Sequence, residues 1–237
     1  MLARSKWMMA GIAVLTAAVI WAVDTPTAQA SAAQADEPPA VSATTSPAPA
    51  EIEALQYMRE EEKLARDVYL ALYEEWQLPI FQTIAGSESQ HMEAMLTLIE
   101  KYGLTDPAAG KAEGEFTNPE LQALYAQLVA QGSKSAVDAL KVGATIEDLD
   151  IADLMAALEN TTSDDIRFAM ENLLRGSENH LRAFMRNLER TGDTYEPQYL
   201  DSETFAEILE GQTGRMGARG RGARWDDNGR GRGMRWQ

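Results

Sequence analysis

Two histidines and a few carboxylates at helical spacing carry the chemistry that this sequence offers. Glu88 and His91 stand three residues apart, so on a helix their side chains are neighbours on one face. A hard carboxylate oxygen beside an imidazole suits Fe, Mn or Zn. Glu62, Glu147 with Asp150, and His180 fall in the middle of otherwise apolar helical stripes. Burying bare carboxylates is costly unless they are paired or bound to a metal, so six such groups converging on one core point to metal binding. The chain has no cysteine, which excludes a disulfide scaffold, a thiol nucleophile and any Cys-based zinc or iron–sulfur site.

The elements that must position these groups are helices. From Glu51 to about Gly211 nothing alternates as a strand does. The first helix spans about Glu51 to Gln77, with Leu55, Met58, Glu62, Ala65, Tyr69, Leu72 and Trp76 as one seam. Pro79 restarts the chain, and the second helix reaches about Tyr102 with the seam Ile84, Glu88, His91, Met95, Leu98, Tyr102 and a Gly103 cap. A long connection follows, with a short helix over Leu121–Ala130 after Asn118-Pro119. The third long helix runs from about Lys134 to Glu159, with Gly143 as a candidate break. The fourth opens at Thr162/Ser163 with Asp164 and Asp165 in its first turn, carries Ile166, Met170, Leu173, Ser177, His180 and Phe184, and ends at Gly192. Glu60 and Glu61 read as charges on a solvated face, so that Glu60→Ala is expected to leave metal binding untouched. Tyr57, Tyr69, Met95, Met170 and Phe184 read as core packing, with Tyr69 a candidate hydrogen-bond or electron partner of the centre.

Short connections within each pair of long helices and a long one between the pairs give two antiparallel hairpins joined by a crossover. That is an all-α fold with the connectivity of a ferritin-like four-helix bundle. The hairpins also repeat. The stretch from His91 to Gly103 aligns without a gap against that from His180 to Gly192, pairing histidine, alanine, glutamate, a basic residue and the closing glycine. In carboxylate dimetal bundles two helices supply one Glu each and two supply Glu-x-x-His.

The run Glu62-Lys-Leu-Ala65-Arg66-Asp-Val-Tyr69 resembles the first ligand helix of rubrerythrin-type ferritin-like proteins. Arg59 to Tyr69, Ser87-Glu88, Gly143-Ala144-x-Ile146-Glu147 and Gly176-Ser177-x-Asn179-His180-Leu181-Arg182-Ala183-Phe184 resemble a ferritin-like family catalogued as domain of unknown function 2202. The resemblance covers essentially the whole helical body. It implies a bundle with a dinuclear metal centre, usually iron, with Mn or Zn as alternatives. Glu62 and Glu147 would be the single-helix carboxylates, Glu88 and His91 the first pair, and His180 half of the second. The sequence departs from the pattern at Ser177, which stands three residues before His180 where a Glu is expected. Glu178 is about 200° from His180 round an ideal helix and needs a π-bulge near Gly176 to face the same metal. Asp150, one turn after Glu147, supplies a carboxylate without distortion and is the preferred substitute.

Outside the body, Arg4 and Lys6 precede an apolar run from Trp7 to Val23 and the A-x-A site Ala28-Gln29-Ala30. This pattern is expected of a cleavable export signal over residues 1–30, cut after Ala30, giving a periplasmic or secreted protein. Residues 31–50, rich in Ala, Pro, Ser and Thr, read as a disordered linker to the helical domain at 51–210. That domain holds 12 basic and 32 acidic side chains, whereas residues 211–237 hold seven Arg and two Asp. An acidic body with a basic tail does not fit a dedicated duplex-DNA reader, whose basic residues line a folded face. The tail resembles RGG segments; outside the cytoplasm its expected partner is an anionic polymer or surface. The expected function is metal oxidation or handling, or peroxide- or oxygen-linked redox protection. If the protein is an enzyme, the activity is ferroxidase-like or peroxidase-like. The alternative is a non-catalytic exported helical binding module with a structural polar core, localised by its tail. Linker and tail argue against a cage; a homodimer stays open.

Overall fold

The structure, a computed structural model, describes residues 46–211. The expected export signal and the Arg/Gly tail lie outside the described residues, as does most of the expected linker. Among the described residues the chain is all-α, with six helices and no strand: α1 Pro49–Trp76, α2 Pro79–Lys101, α3 Pro119–Gly132, α4 Ala136–Glu159, α5 Asp164–Thr191 and α6 Ser202–Leu209. None of them is long and apolar enough to cross a membrane.

Proline at the first position of α1, α2 and α3 fits helix starts, where the missing N–H leaves no bond unmade. Only Gln77 and Leu78 separate α1 from α2, and residues 160–163 separate α4 from α5. α1 therefore packs antiparallel on α2 and α4 on α5, while α1 also meets α4 and α2 meets α5. α3 lies in the crossover between the two pairs and packs on α1 and α4. The α4 helix runs through Gly143 without a break. That glycine serves packing, because a Cβ there would overlap the Phe184 ring.

The apolar core falls into two parts. One gathers Leu55, Met58, Met95, Leu98, Leu154, Ile166 and Met170. The other gathers Leu64, Val68, Leu72 and Leu188 around the mutually packed rings of Tyr69, Phe81 and Phe184. On α1, α2 and α5 the ionisable residues sit in the sequence between the two parts, so they form a polar belt across an apolar interior.

Three features depart from the sequence reading. Glu60 and Glu61 are buried, at 4% and 1% exposure, rather than solvated. Glu60 accepts from the backbone N–H groups of Thr117 at 2.5 Å and Asn118 at 3.1 Å, just ahead of α3, so crossover amides replace water. After Gly192, where the reading placed no helix, residues 195–200 cross α4 and lead into α6. Buried Asp148 holds that strap, accepting from the Tyr195 hydroxyl and from the backbone N–H groups of Gln198, Tyr199 and Leu200 at 2.6–3.1 Å. Arg182 then donates to the Ile208 carbonyl oxygen at 2.8 Å, fixing α6 to α5.

The start of α5 is closed by α1. Glu51 accepts from the backbone N–H groups of Thr162 and Ser163 at 2.7 and 2.8 Å, from the Ser163 hydroxyl, and from Ala48 N–H. Burial pushes its carboxyl up, but the Ser163, Ala48 and Thr162 amides outweigh this and hold it at about 2. A depressed carboxylate stabilises above its unfolded value and loses that contribution as the pH falls from 4.5 towards 2. Glu51→Ala is expected to cost about 1.5–3 kcal/mol at neutral pH, read from urea melts, with the deficit shrinking as the pH falls through that window.

Candidate metal centre

Each long helix delivers part of the polar belt: Glu62 from α1, Glu88 and His91 from α2, Glu147 and Asp150 from α4, and His180 from α5. The five carboxylate and hydroxyl groups Glu62, Glu88, Glu147, Asp150 and Ser177 are at most 4% exposed. Both imidazoles keep 12% of the side chain exposed and are the cluster's edge towards solvent.

Two triads interlock. Glu62, Glu88 and His91 have ligand atoms within 4.8 Å of one another, and so do Glu88, Glu147 and His180. Glu88 belongs to both. Its Oε2 lies 2.7 Å from His91 Nδ1, and its Oε1 lies 2.8 Å from His180 Nδ1. His91 Nδ1 is also 3.2 Å from Glu62 Oε2, and His180 Nδ1 is 3.5 Å from Glu147 Oε2. The imidazoles stack with centroids 5.6 Å apart.

Of these buried atoms, Glu62 Oε1 and Asp150 Oδ1 lack a hydrogen-bond partner, while Glu88 Oε1 and His180 Nδ1 have ion-pair contacts but no aligned hydrogen bond. Native interiors leave few such atoms, and each is expensive unless something outside the protein satisfies it. Oxygen and imidazole nitrogen atoms converging in this way form a donor set for a transition metal, so the residues present fit one.

Asp150 is buried beside Ser177, whose hydroxyl donates to the Leu173 carbonyl oxygen at 3.1 Å, and its charge acts on Glu62. Glu178, the other candidate, lies 3.8 Å from Arg182. The α5 helix carries no π-bulge that would turn Glu178 towards His180. Tyr69 donates to Glu147 Oε1 at 2.5 Å, so it touches the cluster as well as the aromatic core.

The protonation pattern follows from burial and neighbours. Burial raises Glu88, but His180 and His91 on either side outweigh it and hold the carboxylate at about 2. Burial disfavours both imidazoliums, yet Glu62 and Glu88 hold His91 at about 11, and Glu147 and Glu88 hold His180 at about 10. Glu62 is raised well above the usual carboxylate range by burial and then by Asp150. Burial and the Glu147 charge push Asp150 up to about 8. Glu147 is raised by burial and by Glu88, against the pull of His180.

Sequence reasoning missed two neighbours of the histidines. His180 Nε2 lies 3.0 Å from the Ser87 hydroxyl, which fixes the ring and leaves Nδ1 facing the carboxylates. The Cε1–Nε2 edge of His91 lies against Gly176: a Cβ there would stand 2.6 Å from both atoms. Ser87 and Gly176 each stand four residues before a histidine, so extending the internal repeat upstream would have paired them. Gly176→Ala favours the helix by about 0.5–1 kcal/mol in propensity but drives a methyl into the imidazole. It is expected to leave the metal-free protein folded and to weaken metal binding by about tenfold, measured by competition with a chromophoric chelator.

Comparison with known proteins now places the chain. A family model described as "Uncharacterized protein domain (DUF2202)" matches residues 51–212. The chain is 54% identical over 165 residues to "Uncharacterized protein MJ0754" of Methanocaldococcus jannaschii, covering 70% of this chain and 89% of that protein. The crystal structure of that hypothetical protein superposes with a TM-score of 0.66 at 55% identity, covering 67% of this chain and 91% of that one. With the family model spanning the whole helical body, the chain belongs to the DUF2202 family.

Proposed function

We propose that the protein is an exported ferritin-like protein in which α1, α2, α4 and α5 form a four-helix bundle around a dinuclear metal centre, with iron as the metal. The observation that carries this reading is the pair of triads sharing Glu88, with the buried Glu62 Oε1 and Asp150 Oδ1 of the same cluster left without a hydrogen bond. Glu88 would bridge the two positions. His91 and Glu62 would complete one, and His180 and Glu147 the other, with Asp150 standing in for the carboxylate that Ser177 does not provide. Bound there, iron supplies one-electron chemistry with O2 or peroxide, which fits ferroxidase-like metal handling or redox protection.

The chain's own residues prepare the site. Ser87 orients His180, Tyr69 holds Glu147, and Gly176 lets His91 approach α5. In this reading the N-terminal segment directs export, and the Arg/Gly tail holds the protein at an anionic polymer or surface. A second reading has a specific observation behind it. Glu88 between two imidazoliums is a closed ion network able to hold the core without metal, as a non-catalytic binding module requires.

Metal content decides between them. Purified protein reconstituted anaerobically with Fe(II), Mn(II) or Zn(II) and freed of excess is expected to retain about two equivalents, as dimetal bundles do. Well under one equivalent with every metal would overturn the reading. Alanine at Glu62, Glu88, His91, Glu147 or His180 is expected to weaken binding by more than about tenfold, Glu88→Ala most, because both positions use it.

A further inference from the structure

We propose that Glu61 and Asp153 form a separate oxygen-only cation site, through which a divalent metal passes from the surface to the centre. The inference rests on the metal-binding reading above and adds to it a site and a route.

Glu61 is 1% exposed, and neither of its carboxylate oxygens has a hydrogen-bond donor. The charges acting on it most strongly are acidic: Asp153, Asp150 and Glu62. Asp153 is the strongest neighbouring charge on Glu61, and the Tyr57 hydroxyl stands close to Asp153. Asp153 is only partly buried, and the charges of both carboxylates reach Tyr199, which is 38% exposed. These residues run inwards from the surface.

Their order along the helices extends the run to the centre. Asp150 stands one turn before Asp153 on α4, so their side chains neighbour one another, and Glu62 follows Glu61 on α1. Asp153, Glu61, Asp150 and Glu62 therefore alternate between two packed helices, each within electrostatic reach of the next. A carboxyl pair with no donor between its members needs a shared proton or a cation. One proton satisfies a single oxygen and leaves the other Glu61 oxygen bare, whereas a divalent cation engages both carboxylates.

The donor types set the direction of travel. Carboxylate and phenol oxygens hold a divalent cation loosely and release it readily, while the centre adds two imidazoles, which first-row transition metals prefer. Transfer inwards is downhill.

The test counts Fe(II) bound to the full chain by anaerobic equilibrium dialysis and follows filling by stopped flow. Glu61→Gln and Asp153→Asn each supply an amide N–H to the remaining carboxylate, so the fold gains a donor and loses none. Each variant is expected to bind one Fe(II) per chain fewer than wild type and to fill the centre about tenfold more slowly. In a Glu62→Ala/Glu147→Ala background, one Fe(II) should remain and should vanish when Asp153→Asn is added. Unchanged number and rate in both single variants would overturn the proposal, because the pair then shares only a proton. A wild type that retains no Fe(II) would overturn the metal-centre reading itself, a distinct result.

Discussion

A Glu62→Gln/Glu147→Gln protein is expected to melt, in chelator, at or above the temperature of chelated wild type, and to gain nothing from Fe(II). Both carboxyls are buried and raised above their usual range, Glu62 by burial and by Asp150, Glu147 by burial and by Glu88. The metal-free core thus holds acidic groups against their preference. Glutamine removes the charges while keeping an oxygen for the Tyr69 hydroxyl and one near His91. Wild type is expected to behave in the opposite way. A metal that binds only the native state adds about 2.7 kcal/mol at one hundred times its dissociation constant, about 5–10 °C in Tm for a domain of this size. A purely structural ion network makes the reverse forecast: removing two carboxylates orphans the imidazoliums and costs several kcal/mol. Thermal melts of both proteins, with chelator and with Fe(II), separate the two. A double variant melting well below chelated wild type would remove the main physical support for the dimetal reading.

The separation between metal-bound and metal-free melts is expected to widen steeply with pH. His91 and His180 are held at about 11 and about 10, above the unfolded value of 6.5. Imidazoliums held in this way stabilise the metal-free fold fully below 6.5 and lose that contribution as the pH rises through 10 to 11. Asp150, raised from 3.8 to about 8, acts in the same direction over a lower window. Raising the pH therefore lowers the melting temperature of the chelated protein. Metal needs neutral imidazole and ionised carboxylate, so uptake expels these protons, and affinity rises about tenfold per pH unit for each proton released. Titration in weakly buffered solution should show proton release on Fe(II) or Zn(II) binding. Binding that is independent of pH between 6 and 9 would place the metal away from the histidines.

Much of this was legible in the sequence because apolar stripes of helical period are hard to produce by accident. The stripes through Leu55 and Leu72, and through Ile166 and Phe184, located α1 and α5, and the repeat set the two histidines at equivalent places. The ionisable residues were conspicuous because they interrupted those stripes. Glu60, Glu61 and Asp148 were not conspicuous: they stand beside the stripes, where a charged residue is normally solvated. Their burial depends on what the crossover and the 195–200 strap lay over them, and no helical period encodes that. The short α6 escaped for a related reason. Eight residues nucleate poorly alone and hold their helix through Phe205 and Ile208 packing on the body and the Arg182 bond.

The Asp148 clamp has a mechanical consequence. Asp148 and Glu147 are successive residues, about 100° apart round α4, so the strap hangs from one side of the helix and the centre from another. A pull entering at residue 211 is taken first by the Arg182–Ile208 bond and then by the amides that Asp148 holds. Tethering or towing the molecule by its C-terminal end therefore strains the outer side of α4 and spares the carboxylate that faces inwards.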